Sequence, residues 1–173
     1  GVGCARGAPA EDVCEFVMRE LQRADINAAA IAAVVTADIK ADEPAIHALA
    51  AMLAVPVRVF DRDQMAAETD RLKTPSQTVF EEIGVYGVAE GAALAAAGAD
   101  GMLVHPKAKS DTATMALAKA ESALAHRLPG RKPGRVILVG IGPGKPVWRS
   151  PVASQLIFGA DELVGYDFYI DLL

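Results

Sequence analysis

Apolar residues in this chain fall into two kinds of run, short unbroken ones and longer ones in which they recur every three or four positions. Residues 31–36 (IAAVVT) are an unbroken apolar run, as expected of a strand buried on both faces of a parallel sheet. Residues 55–60 (VPVRVF) form another strand candidate, residues 102–104 a short one, and residues 112–118 a returning one. Residues 1–7 (GVGCARG) read as a strand end and its loop. In residues 9–24, Val13, Cys14, Phe16, Val17, Met18 and Leu21 make one apolar helical face. Pro9 suits the first turn, and Glu11 and Asp12 favour the positive end of the helix dipole. Helices are also predicted over residues 43–53, 63–68, 76–82, 88–97 and 121–128, with Gly98 closing the alanine-rich 88–97 segment. Residues 105–111 read as a charged loop.

Strands that alternate with helices predict an α/β fold: a three-layer α/β/α domain with a mostly parallel sheet. The domain is expected to span residues 1–128. Residues 129–134 (PGRKPG) have the composition of a linker. From residue 135 a second pattern begins: an apolar strand, a glycine-proline-glycine loop, a helix, a short strand and the start of another helix. It reads as the truncated opening of a further α/β domain over residues 135–173. The chain starts inside GVGC without a methionine and stops within a helical pattern, so both ends are expected to be cuts.

Composition narrows the function classes. With 173 residues, 52% of them hydrophobic, the chain is long enough to bury a core. A net charge of −5 argues against nucleic-acid binding, which needs a basic face. No apolar run approaches the roughly 20 residues of a membrane span. Cys4 and Cys14 give neither a disulfide framework nor metal-ligand spacing, so no metal is expected, and a reducing cytoplasm is the expected setting.

Ligands of such sheets bind beyond the carboxyl ends of the strands, and three segments fall there. In the first, Gly3 lets backbone approach a ligand, while Arg6 and the start of a helix are expected to favour the Cys4 thiolate. The second, residues 36–44 (TADIKADEP), carries Lys40 and Glu43. The third, residues 105–110 (HPKAKS), carries His105, Lys107 and Lys109. Arg6, Lys40, Lys107 and Lys109 together predict a cationic rim for a ligand bearing carboxylates or phosphates. Each also has a plainer reading, Cys4 as a packed residue and the lysines as a solvated surface. Cys14, on the apolar helix face, is read as core, and His47 and His126 as structural or surface residues.

The loop GIGPGK at residues 140–145 matches neither common phosphate-binding pattern. A P-loop would need glycine at Val139 and Ser or Thr at Pro146, and a dinucleotide fingerprint would need glycine at Lys145. Ser150 and Pro151 are good first residues for a following helix.

The stretch VGIGPGKPVWRSPVASQLIFGADELVGYDFYIDLL resembles the N-terminus of the tetrapyrrole methylases, and its WRSP and VGYDFYIDLL segments resemble the precorrin-3B carbon-17 methyltransferase branch. The resemblance implies S-adenosylmethionine as cofactor of the full-length methylase domain, with Gly140, Gly142, Pro143 and Gly144 in its loop. It also implies a homodimer through that domain. Lys145 stands where many members carry Asp, and the later parts of the methyl-donor site are absent, so this chain alone is expected neither to bind the cofactor nor to methylate.

GVGCARG, TADIKADEP, PSQTVFEEIGVYGVAEGAAL (75–94) and LVHPKAKSDTATMALA (103–118) resemble, in that order, the C-terminal domain of the CbiG/CobE cobalamin-biosynthesis family. That resemblance implies an α/β/α sandwich and a precorrin or cobalt-precorrin ligand, a carboxylate-rich tetrapyrrole. For the CbiG members it implies opening of the ring-A lactone of cobalt-precorrin-5A with release of acetaldehyde. Two roles stay open. In hydrolysis, Cys4 or Glu43 would be nucleophile or base and Lys40 would steady the oxyanion, with Gly3, Arg6, Lys107 and Lys109 binding substrate. In the alternative, a non-catalytic module binds the corrinoid and hands it to the fused methyltransferase. An unrelated nucleotide-binding α/β domain is the fold-level alternative.

Overall fold

The computed structural model describes residues 1–122, 128–143 and 145–173, and divides into two units, Gly1–Gly134 and Arg135–Leu173. The helix expected over residues 121–128 lies largely outside the described residues, as do His126 and Gly144.

The first unit has five strands in two sheets: β1 (Val2–Cys4), β2 (Val34–Ala37), β3 (Val57–Phe60), β4 (Met102–Lys109) and β5 (Ala113–Lys119). Its helices are α1 (Ala10–Arg23), α2 (Pro44–Met52), α3 (Arg62–Ala66), α4 (Gln77–Ile83) and α5 (Val88–Ala97). Alternation along the strands sorts the core into two layers. Val2, Val34, Val57, Val59 and Met115 pack with Val13, Phe16 and Leu21 of α1 and Ile46 and Leu49 of α2. Val35, Ala37 and Phe60 face the other way, onto Met65 of α3 and Ala92 and Ala96 of α5. Helices thus cover the strands from both sides, and the α/β class matches the expectation.

The sheet does not. β2 and β3 are parallel, but β1 pairs antiparallel with β5, and β5 antiparallel with β4, giving the order β1-β5-β4. "Mostly parallel" is corrected to a two-stranded parallel sheet, β2-β3, and a three-stranded antiparallel one, β1-β5-β4. The reason is the stretch read as a charged loop. His105–Lys109 continues β4, and a tight turn hydrogen-bonded from Ser110 N–H to Ala113 C=O (2.8 Å) returns it as β5. An edge strand tolerates Pro106 and the two lysines because one side needs no ladder partner. Arg131, in the proline- and glycine-rich segment, exchanges two 2.9 Å backbone bonds with Val59, so that segment packs with the first unit.

A buried carboxylate fastens the β4 edge. Glu90, 1% exposed, accepts the N–H groups of Lys73 (2.8 Å), Thr74 (3.0 Å) and Lys107 (2.8 Å) and the Thr74 hydroxyl (2.9 Å). One side chain on the first turn of α5 thus holds both the 72–76 loop and the edge strand.

In the second unit, α6 (Pro151–Phe158) starts at Ser150, whose hydroxyl accepts the Ala153 N–H at 3.1 Å, and α7 (Asp167–Ile170) follows. The strand expected after Arg135 is absent among the described residues: Val136 and Leu138 are 93% and 96% exposed in irregular backbone. An apolar run becomes a strand only where a neighbour completes its hydrogen bonds, and Arg135–Leu173 contains no such neighbour. Gly142 adopts φ +69° in the glycine loop, over the Trp148 carbonyl.

Burial pushes the Glu90 carboxyl pKa up. The hydrogen bonds from Thr74, Lys107 and Lys73 outweigh it, and the net value lies below the ordinary glutamate value. A pKa lower in the folded than in the unfolded chain stabilises above the unfolded value, and that stability is lost as pH falls through the folded one. Glu90→Gln is therefore expected to cost about 2 kcal/mol at neutral pH. Its melting temperature should also fall less steeply than the wild type's as pH drops below about 4.5. Thermal melts of both proteins from pH 7 to 3 check this. Parallel curves would mean that Glu90 is not the titrating staple.

Candidate functional site

The carboxyl ends of β1 and β2 lead into two loops that meet. After Cys4 the chain turns through Gly7 at φ +69°, a left-handed conformation that a side chain would strain. This turn aims the Gly7 N–H at Glu43 Oε1, 2.9 Å away. After Ala37 a 3₁₀ turn, Asp38–Lys40, leads to Glu43, the residue capping α2, with Pro44 in the first helical position.

Glu43 is fully buried, at 0% exposure. Its Oε2 lies 3.6 Å from Arg6 Nη1 and 3.9 Å from Lys40 Nζ, both beyond hydrogen-bond length. Arg6 binds elsewhere: Nη1 donates to Asp42 Oδ1 at 2.7 Å, and Nη2 to the Ile39 carbonyl at 2.8 Å. Hydrogen bonding to Arg6 holds the Asp42 carboxyl below the usual carboxylate range. Arg131 similarly donates to Asp38 at 3.1 Å. Arg6 therefore clamps the two loops together, whereas Lys40, with its side chain 18% exposed, has only the long contact to Glu43.

Cys4 does not carry the expected thiolate. Burial pushes its pKa up and the Glu43 carboxylate pushes it further, while Lys40 and Arg6 pull it down by less. The sequence signals a neighbouring cation at Arg6 but hides the buried anion, which lies 39 positions along the chain at Glu43. At neutral pH the thiol form prevails, which removes the simplest case for a nucleophile.

The remaining predicted residues divide. Gly3 is a point of close approach: a Cβ there would stand 2.9 Å from Thr114 Oγ1. Gly3 and Lys109 both register with Thr114, so Lys109 lies two strands from Gly3, roughly 10 Å across the sheet, at the same end as Cys4. Lys107 is engaged in structure, its Nζ donating to the Thr74 carbonyl at 2.9 Å. His105 lies away from this cluster, 3.6 Å from the buried Glu20 of α1. Gly140, Gly142 and Pro143 belong to the second unit. Asp42 and the Gly7 N–H were missed, although the glycine after Arg6 is the kind of residue that marks such a turn.

Two clefts are present in the first unit. One, about 560 Å³, is lined by His47, Val55, Arg58 and Lys132 among others, and a second, about 710 Å³, by Met18, Arg19, Ile26 and Asn27 among others. No residue of the Cys4–Glu43 cluster lines either one. Among the described residues no group of three or more His, Cys, Asp or Glu is placed to hold a metal ion. No described helix is long and apolar enough to cross a membrane.

With this geometry in hand, comparison with known proteins is informative. A family model described as "Cobalamin synthesis G C-terminus" matches residues 1–118. Protein CobE of a Sinorhizobium species is 43% identical over 118 residues, covering 68% of this chain and 77% of that protein. The cobalt-precorrin-5A hydrolase of Priestia megaterium is 29% identical over 118 residues, which are 31% of its length. The crystal structure of CobE, described as a protein from the cobalamin (vitamin B12) biosynthetic pathway, superposes with a TM-score of 0.64 at 35% identity, over 68% of this chain and 86% of CobE. The cobalamin biosynthesis protein ChiG of Agrobacterium tumefaciens gives 0.55 at 27% identity, over 70% of this chain and 97% of that one.

The electrostatics of Cys4 are directly testable. In the wild type, alkylation by iodoacetamide as a function of pH should give an apparent thiol pKa above 9 for Cys4, followed by mass spectrometry to separate it from Cys14. Glu43→Gln should lower it and Lys40→Ala should raise it. An unchanged value in both variants would mean that these groups do not surround the thiol.

Proposed function

The chain belongs to the cobalamin synthesis G C-terminus family, and from that premise we propose that Gly1–Gly134 binds a carboxylate-rich precorrin or cobalt-precorrin at the carboxyl ends of β1, β2 and β4. The observation that carries this reading is the joining of two strand-end loops around Glu43, with Lys40 and Lys109 as the cations at that end least committed to protein partners. Such cations suit the carboxylates of a tetrapyrrole. Gly3 serves packing instead, since a Cβ there would stand 2.9 Å from Thr114 Oγ1 and 3.6 Å from Val88. Arg6 and Lys107 support the rim by fixing the loops rather than by reaching outward.

A second reading, opening of the ring-A lactone, is favoured by one feature: Glu43 Oε2 is free of hydrogen bonds among the described residues while Lys40 stands beside it. In that reaction water adds to the lactone carbonyl, Glu43 takes the proton of the water, Lys40 steadies the oxyanion, and the ring oxygen leaves as the alcohol after protonation; loss of that alcohol's proton with cleavage of the carbinol carbon's bond to the macrocycle then frees acetaldehyde, the macrocycle keeping the electron pair and taking up a proton. Cys4, held as a thiol, packs beside the site and takes no covalent part. The similarity to the P. megaterium hydrolase supports this reading.

For Arg135–Leu173 we retain the tetrapyrrole-methylase resemblance as a proposal about a longer protein. S-adenosylmethionine would supply a methyl group there. The residues present do not fit it: the first strand is unformed, and Gly142 turns over Trp148 rather than opening a cradle. No step runs through this segment.

Cobalt-precorrin-5A added to the full chain should shift the ring absorption spectrum. Lys40→Ala should weaken that binding about tenfold, the loss of one charge-assisted contact. Acetaldehyde released by the wild type and lost in Glu43→Gln would establish hydrolysis. Neither a spectral shift nor acetaldehyde would overturn both readings.

A further inference from the structure

Glu43 Oε2 is not the only buried polar atom without a protein hydrogen bond at this end of the strands. Among the described residues, Thr36 Oγ1 is in the same condition, and Thr36 is 0% exposed. Thr36 lies near the carboxyl end of β2, and Glu43 caps the helix that follows. Val34 packs in the α1/α2 layer while Val35 and Ala37 pack against α5, so alternation turns Thr36 toward α1 and α2. Its register partner on β3, Val59, belongs to that same layer. Cys4, at the end of β1, packs against it too. Glu43 begins α2 above these strand ends.

An unsatisfied buried hydroxyl or carboxylate oxygen costs about 1–3 kcal/mol. Buried polar groups of native proteins are paired, with protein or with ordered water. Arg6 and Lys40 are ion-pair partners of Glu43 Oε2 at 3.6 Å and 3.9 Å but do not hydrogen-bond it, so the oxygen keeps its lone pairs for a small donor. A buried water needs two to four polar partners, and Thr36 Oγ1, Glu43 Oε2 and Lys40 Nζ supply three.

We propose that Thr36 and Glu43 jointly hold one internal water molecule beneath Lys40, and that Thr36 is the positioning residue for that water. The site accepts a neutral, water-sized donor–acceptor. A ligand carboxylate is excluded by the charge of Glu43. The water belongs to the resting protein. Under the hydrolytic reading, on which its catalytic use alone rests, it is the molecule whose proton Glu43 takes.

The test is a crystal structure of the full chain at a resolution that shows ordered water, with Thr36→Ser and Thr36→Val beside the wild type. Density within hydrogen-bond reach of Thr36 Oγ1 and Glu43 Oε2 is expected in the wild type and the serine variant and not in the valine variant. Thr36→Val should lower the melting temperature by about 3 °C or more, and Thr36→Ser should recover it. A dry site overturns the proposal: no density in the wild type, together with a valine variant as stable as the wild type or more so, since removing an unpaired hydroxyl relieves its cost. Failure of corrinoid binding leaves the water where it is, and absence of the water leaves corrinoid binding to be judged by its own spectrum. The two ideas therefore fail separately. If acetaldehyde is released, Thr36→Val should reduce its turnover by ten-fold or more with KM unchanged, and Thr36→Ser should restore it.

Discussion

A fully buried carboxylate, Glu43, organises the end of the sheet at which this protein presents its charges. A charge taken out of water is tolerated only when other groups replace the water. Here the replacement comes from two loops that are distant in sequence. Gly7 gives its N–H from the β1 side, Lys40 approaches from the β2 side, and Arg6 crosses between them to Asp42 and the Ile39 carbonyl. Removing the carboxylate would leave the Gly7 N–H without its acceptor and Lys40 without its anion. The shape of the loops and the charge within them are thus one property.

Glu90 makes an instructive contrast. It is just as buried but accepts four hydrogen bonds, three from backbone N–H groups. Nothing in that arrangement is left over for a ligand, so its effect is purely on the fold: it pins an edge strand and a loop onto α5. Glu43 keeps one oxygen out of any hydrogen bond with the described residues. Burial alone does not tell these two carboxylates apart. The completeness of their hydrogen bonding does.

Much of the layer structure was legible in the chain. The apolar face of residues 13–21 became α1, and the unbroken IAAVVT run ended in β2, because periodicity reports directly which side of an element is covered. The β4–β5 hairpin was hidden for the opposite reason. An edge strand has an open side, so HPKAK carries the polarity of a loop while its backbone is paired with β5. The strand expected after Arg135 failed because periodicity says nothing about whether a partner exists. At the site, Cys4, Arg6, Lys40 and Glu43 were all nameable from strand-end position. What could not be read was the sign of the field at Cys4, since it depends on a contact between residues 4 and 43 that only the fold creates. Thr36 looked like one more β-branched strand residue.

The arrangement of charge also bears on which cations can meet a ligand. Arg6 and Arg131 are each paired with an aspartate, and Lys107 is spent on the Thr74 carbonyl. The local balance at the loops, with Arg6, Lys40 and Arg131 against Asp38, Asp42 and Glu43, is near zero despite the cluster of cations that the sequence shows. A polycarboxylate would then be met by few charges, Lys40 and Lys109, set on a rigid floor, rather than by a broad basic field. Attraction of that kind is short-ranged and geometric: it depends on where two ammonium groups stand more than on net charge. On this view the pairing of Arg6 with Asp42 is what lets an acidic protein recognise an acidic ligand. It removes the guanidinium from competition and leaves it to hold the loops in place.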